Sequence, residues 1–301
     1  MLLKAIEKSL KSTCLHPELA HILDYAVLPA GKLFRPKLVE AIAFDLGSAL
    51  GPNHFNLASA IETHHAYTLV HDDLPSMDND QYRRGKLSTH AAFNEWKAIL
   101  AGDALLIHSF AELNKIQSEN FHLINKFFSW ATGAKGLILG QFLDLGAQGK
   151  ASLGDIIRIH ELKTARLIQV ATVGSYLVSE KFVFDKFKDY LRLGNVIGVS
   201  FQLLDDLNEL TESTVSSHEE EINPFILYPE ETLAILDKNL KTLYKILQKQ
   251  NLTHTKNMMK SYLEKNQESF TQNSETLLNH FNKNNQFRSD LKNWITSFVA
   301  L

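Results

Sequence analysis

The sequence predicts an all-α protein, a helical bundle whose long central helices line a deep cavity. Three observations carry this. Apolar residues recur at helical spacing in nearly every segment, alternating β-branched runs are scarce, and only seven prolines interrupt 301 residues. Composition agrees, since 45% hydrophobic and 22% charged residues are ordinary globular usage and supply a sizeable core.

Met1 to Lys11 spaces its apolar residues like an amphipathic helix, with no long apolar core or small-residue cleavage site, which argues against a signal peptide. Leu38, Val39, Ile42, Ala43 and Leu46 form one stripe between Pro36, a favourable first-turn residue, and Gly47, a natural stop. The next helix, about Asn56 to Leu74, sets Ile61, His65, Thr68, Leu69 and Asp72 close to one face and should fail at Pro75. Further helices are predicted over Thr89 to Ile116, Leu123 to Leu145, Leu153 to Val178 and Lys186 to Leu210, with peripheral helices from Glu230 to Leu301. Thr211 to Glu221 is polar and acidic and reads as a mobile loop within a single domain spanning residues 1–301. Apolar stretches such as Gly136 to Gly140 are broken well short of the roughly 20 residues a membrane span needs.

The net charge of −3 provides no basic field for nucleic acid or an anionic membrane surface. Cys14 is the sole cysteine, which excludes an intramolecular disulfide and thiolate metal sites and fits a reducing, cytoplasmic setting.

Two acidic clusters stand out against this background. The first runs His71-Asp72-Asp73-Leu74-Pro75-Ser76-Met77-Asp78-Asn79-Asp80 and is followed by Arg83-Arg84-Gly85. Asp72 and Asp78 would point in separated directions on an unbroken helix, so a stop at Pro75 lets Asp78 curl back. The second is Asp205-Asp206-Leu207-Asn208-Glu209, where Gln202, Asp205, Asp206 and Glu209 form one polar patch on an otherwise apolar helix. Two carboxylates 4 Å apart repel by about 4 kcal/mol at an effective dielectric near 20, so facing acidic clusters need cations between them. Hard oxygen donors point to Mg²⁺, which is usually held by one or two carboxylates plus substrate phosphates. Guanidiniums such as Arg83 and Arg84 can hold phosphate oxygens bidentately, and Lys32, Arg35 and the pair Lys163-Thr164 fit the same scheme. His65 lies two turns before Asp72 on the same face. Taken singly, each of these features also has an ordinary explanation: a solvated surface patch, a satisfied core histidine or a solvated arginine pair.

Acidic clusters, cations and an apolar helical interior suit a substrate with a polyanionic head and a hydrophobic tail. In its ordered motifs, from Gly31-Lys32-Leu33-Phe34-Arg35-Pro36 through Glu62 to Asp103 and on to Glu209, the chain resembles the short-chain trans-prenyl diphosphate synthases of the bacterial farnesyl diphosphate synthase (geranyltranstransferase) type. The first motif has four residues between the paired and final Asp, the spacing of that group.

The resemblance implies an isoprenoid synthase type I helical bundle, a homodimer, and a condensation of isopentenyl diphosphate with dimethylallyl or geranyl diphosphate by ionisation, condensation and elimination. It implies that Asp72, Asp73 and Asp78, with Asp205, Asp206 and Glu209, hold Mg²⁺, three ions in all. Arg83, Lys163, Thr164 and Gln202 would serve the allylic diphosphate, and Lys32, Arg35, His65 and Arg84 the isopentenyl diphosphate. Gln141 and Asp144 match the family's Gly-Gln-x-x-Asp segment near the metals. Tyr67, five residues before Asp72 and so about 7.5 Å deeper along a helix, would floor the tail pocket near fifteen carbons.

The chain also departs from the pattern. Glu209 replaces a usual Asp, Leu33 a usual Arg, no Lys occupies Glu220 to Phe225, and Ile295-Thr296-Ser297-Phe298 lacks a late Arg. These losses keep open a weakly active or inactive partner subunit of the synthase type. A terpene cyclase fits less well, because it needs no second diphosphate site.

Overall fold

In the computed structural model, which describes residues 1–11, 14–28, 31–146, 151–212, 222–282 and 284–300, helices dominate and the only strands form a two-residue hairpin. The chain divides into two compact units, Met1–Phe128 with Val170–Phe182 and Ser129–Gln169 with Val183–Leu301.

The first unit holds α1 (Leu2–Lys11), α2 (Pro17–Val27), α3 (Phe34–Asp45), α4 (Pro52–Asp72), the hairpin β1 (Tyr82–Arg83) and β2 (Lys86–Leu87), α5 (Thr89–Phe93) and α6 (Glu95–Leu113). Helix α4 is its axis and packs on α6, α1 and α3. Pro52 starts it at a position where no amide hydrogen is needed, and Leu57 and Ile61 are fully buried along it. Burial of each such side chain stabilises the fold by about 1.5–3 kcal/mol. Ile6, Ile22, Leu23, Tyr67, Val70, Ala98 and Leu105 close a core between α1, α2, α4 and α6.

The predicted helix over Thr89 to Ile116 is in fact two. Asn94, at φ 123°, ends α5, and its side chain accepts from the Lys97 amide at 3.2 Å to start α6. The predicted helix over Leu123 to Leu145 is likewise two, α7 (Phe121–Thr132) and α8 (Leu137–Gly146), with Gly133 and Gly136 at the break.

In the second unit, α9 (Leu153–Ile159) opens on a reciprocal cap between Ser152 and Asp155. The chain then widens into a π-helical turn, His160–Ala165, before α10 (Arg166–Val178), whose residues from Val170 onward belong to the first unit. Helix α11 (Phe187–Glu209) is the axis here and packs on the π turn and on α13 (Pro229–Lys249). The short α12 (Pro224–Leu227), α14 (Thr253–Gln272), α15 (Ser274–Asn279) and α16 (Asn285–Ser297) complete the unit. Most of the predicted acidic loop, residues 213–221, lies outside the described residues, and so do Glu220 and Glu221 of the departing segment. Among the described residues, no helix is long and apolar enough to cross a membrane.

Candidate active site

Helix α4 ends at Asp72, and the chain then turns back through Pro75 so that the Asp78 amide donates to the Asp72 carbonyl at 2.9 Å. This is the reversal predicted from the six-residue spacing. Asp72 is half-buried and Asp78 exposed. Asp73 behaves differently. Only 2% exposed, it accepts from Arg83 Nε at 2.9 Å and Nη2 at 2.5 Å, while the same Nη2 also reaches Asp80 at 2.8 Å. Burial raises the Asp73 carboxyl, and the Arg83 charge and hydrogen bond hold that rise back. Both bonds from Arg83 fall on the same oxygen, Asp73 Oδ1.

Arg83 and Arg84 sit at the tight end of the hairpin, where Arg83 pairs with Lys86. Both turn residues have positive φ, 54° at Arg84 and 77° at Gly85, as a two-residue hairpin turn demands. For an arginine this conformation costs about 1–3 kcal/mol, a strain that typically marks functional positions. Nearby, burial and then the charges of Arg35 and Arg84 push His65 well below its ordinary value, so its imidazole is neutral. Glu62, one turn before His65 and 4% exposed, is raised by burial and held back by the same two guanidiniums. Arg35, Arg84, His65 and Glu62 are thus neighbours, whereas Lys32 is exposed at the start of α3. Tyr67 is 9% exposed, edge-on to His64 at 4.9 Å and His71 at 5.2 Å.

In the second unit the π turn aims successive side chains at different helices. Lys163 Nζ donates to Asp144 on α8 at 2.6 Å, and Thr164 Oγ1 donates to Gln202 Oε1 on α11 at 2.9 Å. Gln202 Nε2 in turn donates to Asp206 Oδ1 at 2.9 Å, while His160 Nε2 lies 3.5 Å from Asp206 Oδ2. His160 is lowered to about 4, by burial first and by the Lys163 charge, with Asp144 opposing. Glycines permit the approach: a Cβ on Gly140 would stand 2.5 Å from the Lys163 amide nitrogen, and one on Gly198 2.3 Å from Ala165. Asp206 is 6% exposed, Asp205 exposed and Glu209 half-buried. A π turn is often found at functional sites.

Among the described residues, no three His, Cys, Asp or Glu side chains form a metal cage by themselves. The donor set nevertheless fits Mg²⁺, which keeps several waters and shares its shell with phosphates. Both polar atoms of the Gln141 amide are buried without a hydrogen-bond partner, beside Asp144 and Lys163, which marks this side as built for a polar guest.

Three partners were not singled out from sequence. Asp80 could have been found from its i, i+3 spacing to Arg83, and Glu62 from the same spacing to His65. Asn223, which donates to the Asp206 carbonyl at 2.8 Å, carries no local signal.

A helical scaffold that carries clustered carboxylates, arginines at a hairpin turn and a π-distorted Lys-Thr segment is suited to an enzyme of polyanionic substrates. The chain belongs to the polyprenyl synthetase family, whose model matches residues 16–220. It is 38% identical to the farnesyl diphosphate synthase of Micrococcus luteus over 207 residues, 66% of this chain and 69% of that protein. Its fold matches the geranyltranstransferase of Thermotoga maritima with a TM-score of 0.78 at 26% identity, covering 89% of this chain and 96% of that one. It also matches a Helicobacter pylori geranyltransferase complexed with magnesium and isoprenyl diphosphate, with a TM-score of 0.72 at 28% identity, covering 94% and 95% of the two chains.

Proposed function

We propose that this protein is a magnesium-dependent prenyltransferase that condenses isopentenyl diphosphate with dimethylallyl or geranyl diphosphate to give farnesyl diphosphate. The observation that carries this reading is the pair of guanidiniums, Arg35 and Arg84, gathered around the neutral imidazole of His65 and distinct from the carboxylate turn of Asp72 and Asp78. Condensation needs two diphosphates held in different ways, and a terpene cyclase does not.

Asp72, Asp73, Asp78, Asp205, Asp206 and Glu209 are the carboxylates that would hold magnesium, three ions by family resemblance. When bound, the metal supplies positive charge for the departing diphosphate. Arg83, Lys163, Thr164 and Gln202 orient the allylic diphosphate. Thr164 and Asp206 fix the Gln202 amide from either end, so its dipole is set before reaction. Lys32, Arg35, His65 and Arg84 hold the isopentenyl diphosphate so that its double bond meets the allylic cation, and the proton lost from the adduct passes to the released diphosphate. Apolar helix walls keep water from quenching the cation. Tyr67 floors the tail site.

The protein acts as a single synthase domain over residues 1–301, in the cytoplasm, as a homodimer. Support for the dimer comes from Trp96, Ile99, Leu100 and Ile107 on one face of α6, which are 60%, 43%, 52% and 68% exposed. Glu209 and the missing Lys favour, as a second reading, a weakly active or inactive partner subunit. Purified protein incubated with Mg²⁺, isopentenyl diphosphate and geranyl diphosphate should release a fifteen-carbon product, and Asp72→Ala should abolish it. No condensation with either allylic substrate would leave the partner reading.

A further inference from the structure

The hairpin that carries Arg84 makes two contacts, one with the segment that carries Lys32 and Arg35 and one with the end of α2. The first is at Gly31. A Cβ built there would lie 2.9 Å from Arg84 Cζ, 3.0 Å from Nη2 and 3.1 Å from Nε. Three guanidinium atoms at nearly equal distance mean that the guanidinium plane lies flat over the glycine, in the space any other side chain would fill. The second is at Lys86. Its ammonium donates to the carbonyls of Tyr25 and of Leu28, the latter at 2.8 Å, and stands 3.8 Å above the Tyr25 ring. Those carbonyls belong to the C-terminal end of α2, where backbone acceptors lack helical partners and a cation is favoured. The Tyr25 hydroxyl returns the contact by donating to the Leu87 carbonyl at 2.7 Å.

Lys86 and Tyr25 thus fasten the hairpin to the end of α2, three residues before Gly31, and Gly31 leaves the slot in which Arg84 rests. Burial and the Arg84 charge both push the Lys86 ammonium down, so two carbonyls and a ring are spent on keeping one more cation in a crowded cationic corner. A lysine needed only for solubility would point outward.

We propose that Gly31, Lys86 and Tyr25 are positioning residues that set the guanidinium plane of Arg84 against the Lys32–Arg35 segment, and that they govern affinity for the isopentenyl diphosphate rather than for the allylic one. The proposal rests on the assignment of Lys32, Arg35, His65 and Arg84 to that substrate. Because the atoms a new Cβ would meet at Gly31 are the far end of a flexible side chain, Gly31→Ala displaces Arg84 and leaves the backbone in place.

The test is calorimetric binding of isopentenyl diphosphate to the full chain without metal, together with the KM for each substrate and the melting temperature. Gly31→Ala should melt with the wild type, weaken isopentenyl diphosphate binding and raise its KM on the order of tenfold, and leave the allylic KM within about twofold. Lys86→Met should show the same split, and Lys86→Arg, which keeps donors for both carbonyls, should recover most of the binding. Equal rises in both KM values, or wild-type binding by Gly31→Ala, would overturn the proposal. If the wild-type protein itself bound no isopentenyl diphosphate, the substrate assignment beneath it would fail instead.

Discussion

Replacing Gly198 by alanine tests how the π turn and α11 build the Gln202 site. A Cβ at residue 198 would stand 2.3 Å from both Cα and Cβ of Ala165, which are backbone-anchored atoms that cannot rotate away. Ordinary carbon contact begins near about 3.5 Å, so α11 and the π turn must part by roughly 1.2 Å. A shift of that size along the Thr164–Gln202 bond lengthens it from 2.9 Å to about 4.1 Å, beyond hydrogen-bonding range. Overpacking of this kind costs about 1–3 kcal/mol, of which up to about 1 kcal/mol returns because alanine is the better helix former. Stability should therefore fall by roughly 0–2 kcal/mol when that return is complete. The larger effect is on rate, since a misplacement of about 1 Å near reacting groups can cost on the order of 100-fold. Initial rates of condensation and a thermal melt measure both effects, with Gly154→Ala as control, where the nearest atom to a new Cβ is 3.7 Å away. A kcat/KM for Gly198→Ala within about threefold of wild type would refute the claim that this close approach sets the Gln202 amide.

The other predictions concern separate parts of the molecule. His64, 1% exposed, is lowered by burial from 6.5 to about 3, so the unfolded chain binds the extra proton as pH falls between those values and stability is lost across that window. At pH 5 the loss from this residue is about 2 kcal/mol, and His64→Phe should flatten the pH dependence of urea unfolding; an unchanged slope would count against it. Tyr67→Ala should lengthen the product, read by chromatography, whereas an unchanged fifteen-carbon distribution would leave Tyr67 as plain core. Asp73→Asn should destabilise the protein by about 1 kcal/mol, because Arg83 is about one-third exposed and keeps its bond to Asp80, and a melting temperature equal to wild type would show that Asp80 alone suffices. Leu100→Asp on the exposed face of α6 should shift the protein to monomer in light scattering, and an unchanged mass would place any dimer interface elsewhere.

Much of this protein is set by local sequence. Helical periodicity and the break at Pro75 depend on residues close in the chain, so the helical class and the reversal that returns Asp78 to Asp72 are legible without a structure, although α4 starts at Pro52, one turn before the predicted Asn56. The motif residues are legible for the same reason, since their spacing is fixed along single helices and turns. Tertiary structure alone decided what each of them touches. Asp72 and Asp73 are adjacent and chemically identical, yet burial turns Asp73 onto Arg83 while Asp72 stays half-buried. The predicted helix over Leu153 to Val178 gave no hint of the π turn, nor of the close approach of Gly140 and Gly198 from other helices to the backbone that carries Lys163 and Thr164. Lys86 and Gly31 carry no local signal for a like reason: their partners are 61 and 53 residues distant in the chain, and a glycine's role as a slot exists only when the guanidinium that fills it has arrived.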